Sequence, residues 1–394
     1  MSRLVLLDWS LIDRSGHAYE YDGNVMRAFA GRGWEPSIYV HRRSGLQKVG
    51  DWPARPWFSI APTETVTPVR ALRPLAKLRA HWRRSARELR AAIAETDGED
   101  TLFFIQHAEA YHLPAIARAF RNSRGRLMLM LRATSLTGAG ETQRASFRTL
   151  LYRLFLPALA ATLGKRLLLV TDSARLRDEY AKLVRHEISV VPIPNPARTP
   201  PAARKRGKAL HVLMAGRMSH EKGIRYLPPL IERVRAAGLP VVFHVHIYRH
   251  TSEADAYRDL LARFEALEGE GVVLVREPLS TGDYWRQTAA ADVSLLLYDT
   301  GRYRNQTSNL VLDALACGTF PIVSDGTWLA DTVRAAEYGA AIGMGDEGKI
   351  VEAVACLLSK PLPERVPEAV RGLLSYHTAD SFCTVIERLL KDRG

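Results

Sequence analysis

The sequence predicts an α/β protein built as two successive doubly wound domains. Three observations carry that expectation. Short apolar runs alternate with helical patterns along the whole chain, the order that a parallel sheet covered on both faces requires. A Pro-rich and then basic tract, Pro192–Lys208 (PIPNPARTPPAARKRGK), interrupts the alternation and has no hydrophobic period. The chain has 394 residues, too many for one ordinary core, so two domains of roughly 200 residues each are expected.

The first series opens with the buried strand Arg3–Asp8, the loop Asp13–His17, and a helical pattern through Tyr21, Val25, Met26 and Phe29 that ends at Gly31 and Gly33. Strands are expected at Pro36–Val40, Thr101–Ile105, Arg126–Leu131, Leu167–Thr171 and Ile188–Ile193, with helices at Leu113–Phe120, Arg144–Leu163 and Arg175–Val184. After the tract, strands are expected at Leu210–Ala215, Val241–Ile247, Val272–Val275, Val293–Leu297 and Phe320–Val323, with helices between them. The expected organisation is residues 1–196, a linker over 197–208, residues 209–370, and a terminal segment 371–394.

Composition excludes several classes. The apolar start is broken by Asp8 and Asp13 too early for a signal peptide, and no run spans a bilayer without charge. A cytoplasmic location, with peripheral contact to the inner face of the membrane as a candidate, follows as an expectation. Cys317, Cys356 and Cys383 lack the spacing of a disulfide frame or a zinc site. Of the net charge of +13, residues 1–197 carry +12, with 30 Lys or Arg against 18 Asp or Glu. The first half therefore expects an anionic surface or ligand. Arg70–Arg90 concentrates this charge in a basic amphipathic helix, with Arg83, Arg84 and Arg87 as candidate contacts to anionic lipid. A solvated helix face over a buried stripe explains the same pattern. No nucleic-acid motif is present, and the aromatics are too few for a stacking platform.

Two segments of the second half carry candidate chemistry. Gly216-Arg217-Met218-Ser219-His220-Glu221-Lys222-Gly223 lies between a strand and a helical stretch. Backbone N–H groups at a helix start suit a phosphate, and Arg217 with Lys222 adds two cations. Alone, such a string does not separate a phosphate loop from a solvated surface loop. The second segment is Asn305–Gly318 (NQTSNLVLDALACG). Ser308, Asn309 and Leu310 begin a helix, and Asp313 lies in its first turns, where it can accept bonds from a sugar diol or simply face the helix dipole.

In this order and about 90 residues apart, the two segments resemble the second domain of retaining GT-B glycosyltransferases of the "group 1", family-four-like type. That family typically reads G-R-x-x-x-x-K-G and later E-x7-E-A-x-A-x-G-x-P-V. The resemblance implies two Rossmann-like domains facing across a cleft, a terminal helix crossing back to the first domain, and no cofactor or metal. It implies transfer of a hexose-type sugar from a UDP- or GDP-linked donor to a hydroxyl of a glycan or lipid-linked acceptor, in an envelope polysaccharide or glycolipid pathway.

By the same resemblance Arg217, Lys222, Ser308, Asn309 and Leu310 hold the donor diphosphate, and Asp313 holds its ribose. Asn305 stands where the family has its first acid, so its contact to the sugar becomes that of a neutral amide. Gly16 occupies the place of the family's glycine loop, and His107 that of the catalytic-site histidine that contacts the transferred sugar. His17 and Glu109 are weaker candidates for the acceptor. Two alternatives stay open: a nucleotide-sugar epimerase of the same fold, and a non-catalytic nucleotide- or lipid-binding scaffold.

Overall fold

The computed structural model describes residues 2–14, 17–59, 73–132, 143–198, 207–248, 257–269, 271–359 and 366–393. The chain forms two compact units: Met1–Pro196 together with His377–Gly394, and Ala197–Tyr376.

In the first unit the strands are β1 (Arg3–Asp8), β2 (Glu35–His41), β3 (Lys48–Val49), β4 (Trp52–Phe58), β5 (Thr101–Ile105), β6 (Arg126–Met130), β7 (Leu167–Thr171) and β8 (Ile188–Val190). They lie in the order β3-β4-β2-β1-β5-β6-β7-β8. All pairs are parallel except the β3–β4 hairpin. The helices are α1 (His17–Ala30), α2 (Arg73–Ala94), α3 (Leu113–Phe120), α4 (Gln143–Leu163) and α5 (Ala174–Ala181). β5 and β7 are buried along their whole length, as strands covered on both faces must be. Their side chains alternate between two cores. Phe103, Ile105 and Leu169 join Leu89, Ile116, Phe120 and Tyr152 on one face. Phe104, Leu168 and Met128 join Val25, Met26 and Phe29 of α1 on the other.

β4 was not expected from the sequence. Its run WPARPWF holds two prolines and alternates in exposure, a pattern tolerated close to a sheet edge and not in its centre.

The second unit contains β9 (Leu210–Met214), β10 (Val241–His246), β11 (Val272–Val275), β12 (Val293–Leu296), β13 (Phe320–Ser324) and β14 (Ala340–Ile342). Their order is β11-β10-β9-β12-β13-β14, all parallel. The helices are α6 (Leu227–Ala236), α7 (Arg258–Leu267), α8 (Thr281–Ala290), α9 (Thr300–Tyr303), α10 (Asn309–Ala316), α11 (Trp328–Ala335), α12 (Glu347–Ser359) and α13 (Glu368–Tyr376). The strand order turns between β9 and β12, so the loops that leave these two strands diverge from one switch point. That is where a parallel sheet leaves a crevice for a ligand.

α13 packs on α10 and α11 and so stays with the second unit. The chain returns to the first unit at His377, six residues after the 371 boundary expected from sequence. α14 (Ala379–Asp392) then covers α1. Phe382 and Ile386 are fully buried there, each contributing roughly 1.5–3 kcal/mol by removal from water. Arg32 fixes its register, with one terminal nitrogen 2.5 Å from Asp380 and the other 2.8 Å from Glu387. Ile193 donates its N–H to His377 Nδ1 at 3.0 Å, and Ala379 donates to the carbonyl of Asn195 at 2.8 Å. Among the described residues no helix is long and apolar enough to cross a membrane.

Candidate functional site

At the switch point of the second unit, the chain leaves β9 and turns at Gly216, whose φ of +97° lies in the left-handed region open to glycine. A Cβ at this position would stand 2.8 Å from Lys222 Nζ and 3.4 Å from Leu310 Cδ1. The missing side chain therefore leaves the room in which the Lys222 ammonium lies over the turn, beside the first residues of α10. The loop closes at Gly223, with φ +77°, where a Cβ would meet the Leu297 carbonyl oxygen at 1.9 Å. Only glycine lets the backbone press this closely on the end of β12.

A histidine that sequence reasoning passed over holds the turn. Gly216 donates its N–H to His246 Nδ1 at 3.3 Å, and His246 Nε2 lies 2.7 Å from Gln287 Oε1. This pair of contacts requires the hydrogen on Nε2. Burial pushes the imidazole below its ordinary range, so it stays neutral. Its signal in sequence is slight, since a histidine at the end of a strand is usually structural.

Lys222 is the most perturbed cation of the loop. Burial, with the Arg217 charge as the second cause, lowers its pKa from 10.5 to about 8, against a weaker opposing pull from Glu221. Arg217 is exposed. Glu221 is drawn the other way by Arg302 at 2.7 Å. Opposite the loop, Ser308 caps α10 with extended backbone, φ −144° and ψ 125°, and its side chain accepts no capping hydrogen bond. The first-turn N–H groups of α10, from Asn309 and Leu310 onward, thus lack a side-chain cap. Amides without a side-chain cap at a helix start, with the Lys222 ammonium beside the first residues of that helix, are an arrangement suited to an anion.

The two polar positions of the second motif are buried, Asn305 at 4% and Asp313 at 5% exposure. Asp313 has partners that its place on the helix did not announce. One of its oxygens pairs with the Arg198 guanidinium, and the other accepts the Tyr284 hydroxyl at 3.0 Å. The Arg198 guanidinium lies 4.1 Å from the centre of the Trp285 ring, a stacked cation–π contact. Arg198 stands in the tract read from sequence as linker, and nothing in its local pattern announced a partner 115 residues away.

The sequence-predicted residues of the first unit divide. Gly16 lies outside the described residues, as does the His17 side chain, while the His17 backbone opens α1. His107 and Glu109 follow β5, next to β1, at the switch point of their sheet. His107 Nε2 is 4.0 Å from Glu109 Oε1, and its side chain is 39% exposed. Desolvation lowers its pKa, opposed by Glu109 and Asp8. Arg148 Nε stands 3.6 Å from the other Glu109 oxygen.

Beneath this loop lies a polar cluster that the sequence did not disclose. Asp22 Oδ1 accepts from Gln106 at 2.9 Å, and burial together with the neighbouring Asp8 raises the Asp22 pKa well above the carboxylate range. Arg132 Nε meets Asp172 at 3.2 Å and stacks 4.4 Å from the Tyr21 ring centre. These residues come from β1, β5, β6, β7 and α1 or the loops that leave them, so only the folded sheet assembles them. Arg83, Arg84 and Arg87 are exposed on α2.

Residues 209–360 match the family model described as "Glycosyl transferases group 1". Known structures resemble the chain over its full length. A sucrose-phosphate synthase from Thermosynechococcus elongatus has TM-score 0.71 at 14% identity, covering 100% of this chain and 99% of that one. A UDP-forming α,α-trehalose-phosphate synthase from Burkholderia xenovorans has TM-score 0.70 at 13% identity, covering 99% of each. HepE from Anabaena, solved in complex with UDP, has TM-score 0.68 at 13% identity, covering 99% of this chain and 100% of that one. At such identities these likenesses establish the fold. No curated protein sequence matches the chain. The chain thus has the GT-B fold, and its residues 209–360 match the glycosyl transferases group 1 family.

Proposed function

We propose that the enzyme moves a hexose-type sugar from a UDP- or GDP-linked donor to a hydroxyl of a glycan or lipid-linked acceptor, with retention at the anomeric carbon and without a metal ion. The observation that carries this reading is the Lys222 ammonium over Gly216 beside the start of α10. In this reading the donor diphosphate takes the α10 amides, Lys222 and Arg217, and Asn305 hydrogen-bonds the sugar as a neutral amide. The ribose diol takes an oxygen of Asp313 in place of Arg198 or Tyr284. HepE in complex with UDP, and the trehalose-phosphate synthase named for forming UDP, support a nucleotide-linked donor.

The chemistry asked of these residues is electrostatic. As the sugar–phosphate bond breaks, charge develops on the leaving diphosphate, and preorganised cations and amides stabilise it. A diphosphate held this way needs no divalent cation for charge neutralisation. The acceptor hydroxyl attacks on the face from which the diphosphate leaves, and a diphosphate oxygen takes its proton. The protein then supplies no acid–base pair, in contrast to glycoside hydrolysis. His107 contacts the transferred sugar, and His17 and Glu109 belong to the acceptor side.

The test is a screen of UDP- and GDP-sugars by thermal shift, followed by turnover of the stabilising donor. A ligand at one hundred times its dissociation constant adds about 2.7 kcal/mol of stability. Release of nucleoside diphosphate with transfer to an acceptor supports the reading. Isomerised nucleotide sugar would replace it with epimerisation.

A further inference from the structure

β1 and α1 bring two carboxyls together at the end of the first sheet, beside the His107 loop. Asp8, the last residue of β1, is 2% exposed, and Asp22 of α1 is fully buried. Asp8 Oδ1 accepts the Ser10 N–H at 2.7 Å and the Ser10 hydroxyl at 2.5 Å. Asp22 Oδ1 accepts the Gln106 amide at 2.9 Å. The second oxygen of each, Asp8 Oδ2 and Asp22 Oδ2, is buried and receives no donor from any other group. The two side chains stand within hydrogen-bonding reach of each other.

Two bare carboxylate oxygens in contact inside a core repel, and a buried acceptor without a donor is costly. One proton removes both faults. On Asp22 Oδ2 it turns that oxygen into a donor, and Asp8 Oδ2 becomes its acceptor. Asp22 is the better place for it, since Asp8 has two donors on its other oxygen and Asp22 a single neutral amide. Burial first, and Asp8 second, hold the Asp22 carboxyl well above the usual carboxylate range, against weaker pulls from Arg132 and Gln106.

The neighbouring charges are matched among themselves. Arg132 meets Asp172 at 3.2 Å and stacks on Tyr21, His377 faces Asp172, and Arg148 stands 3.6 Å from Glu109. The negative charge of the acid pair is left over. It faces His107, where desolvation favours the neutral ring, Glu109 and Asp8 favour the charged one, and Arg132 and Arg148 oppose them.

We propose that Asp8 and Asp22 share one proton, carried by Asp22, and that the charge left on Asp8 is a positioning charge that stabilises the imidazolium form of His107. The inference rests on the reading of His107 as a contact of the transferred sugar. A neutral imidazole donates one hydrogen bond and an imidazolium two, so the pair governs how His107 can serve sugar hydroxyls.

Two measurements without substrate decide it. The first is urea unfolding of the parent and of Asp22→Asn between about pH 5 and pH 7. The Asn amide donates to Asp8 as the protonated carboxyl does, and its oxygen still accepts from Gln106. Asp22 takes up a proton when the parent folds, so the parent loses stability as pH rises above the ordinary aspartate range, and the variant does not. The ratio of the two unfolding constants should change by about tenfold per pH unit. The second is the titration of the His107 ring by nuclear magnetic resonance of histidine-labelled protein, its signal assigned by its loss in His107→Gln. The midpoint should hold in Asp22→Asn. It should fall by about half a pH unit or more in Asp8→Asn, which takes the charge off Asp8. Melting curves report that each variant folds.

A stability difference between parent and Asp22→Asn that ignores pH overturns the shared proton. A His107 midpoint that ignores Asp8→Asn overturns the positioning role. Sugar transfer by the parent is measured alongside: failure of both tests with transfer intact removes the acid pair alone, and absence of transfer removes the reading on which the inference rests.

Discussion

Arg198 and Asp313 close on each other as an ion pair, with side chains only 18% and 7% exposed, and the Trp285 ring stacks on the guanidinium. The acid proposed to hold the donor ribose is therefore already satisfied within the chain. If the diol must displace Arg198, Arg198→Ala removes a competitor. Donor affinity of that variant should rise several-fold in a calorimetric titration with UDP or GDP. The ligand-free variant should melt lower, because a largely buried carboxylate loses its partner. Weaker nucleotide binding would instead make Arg198 a donor contact.

Arg217→Ala and Lys222→Ala should each cut kcat/KM by one to a few decades with far-ultraviolet circular dichroism unchanged. Each removes a charge-assisted bond worth about 1.5–3 kcal/mol in the ground state, and more as charge develops on the diphosphate. Steady-state kinetics on both variants checks this, and parental turnover in both would refute the cationic clamp.

The pH profile follows from Lys222. With its pKa lowered by burial to about 8, the ammonium is formed below that pH and lost above it. The donor kcat/KM should therefore fall on the alkaline side, from about pH 8 upward, and Lys222→Arg should move that limb higher. The stability sign is the reverse. The folded pKa lies below the unfolded 10.5, so the unfolded chain binds more protons between the two values and stability rises with pH across that window. Burial of the ammonium is a penalty at pH 7 of at most about 3 kcal/mol, at 1.36 kcal/mol per unit. Lys222→Met should raise the melting temperature there while cutting kcat/KM as Lys222→Ala does.

Gly223 and Gly238 separate two costs. Both have positive φ, +77° and +64°, but a Cβ meets nothing within 4 Å at Gly238 and stands 1.9 Å from the Leu297 oxygen at Gly223. Gly238→Ala should cost only the roughly 1–2 kcal/mol of a left-handed alanine. Gly223→Ala should cost more and displace the cationic loop, with a larger fall in activity than in melting temperature. Chemical denaturation of both variants compares them directly.

What the sequence disclosed follows from how locally each feature is encoded. The 216–223 loop was readable because a strand, a glycine turn, two cations and a helix lie within a few residues of one another. The positions of Ser308, Asn309 and Asp313 on α10 were readable for the same reason. The pairing of Asp313 was not, because Arg198 sits in a tract without hydrophobic period and meets its partner only through the fold. His246 and the cluster of Asp8, Asp22, Gln106, Arg132 and Asp172 were hidden likewise, each being contributed by a separate strand end, helix or loop. α4 was readable as a helix but not in its orientation. It is apolar nearly all round, so no stripe marked Tyr152 as inward and Leu150 and Leu154 as outward.

The proposed reaction is transfer from a nucleotide-linked sugar with retention. The most direct measurement is nuclear magnetic resonance of the first-formed product, with the donor identified by thermal shift and EDTA present throughout. Nucleoside diphosphate and product should appear in equal amounts, and the anomeric centre should keep the configuration it has in the donor. Product of opposite configuration, or turnover that stops with EDTA and returns with Mn²⁺, would contradict it.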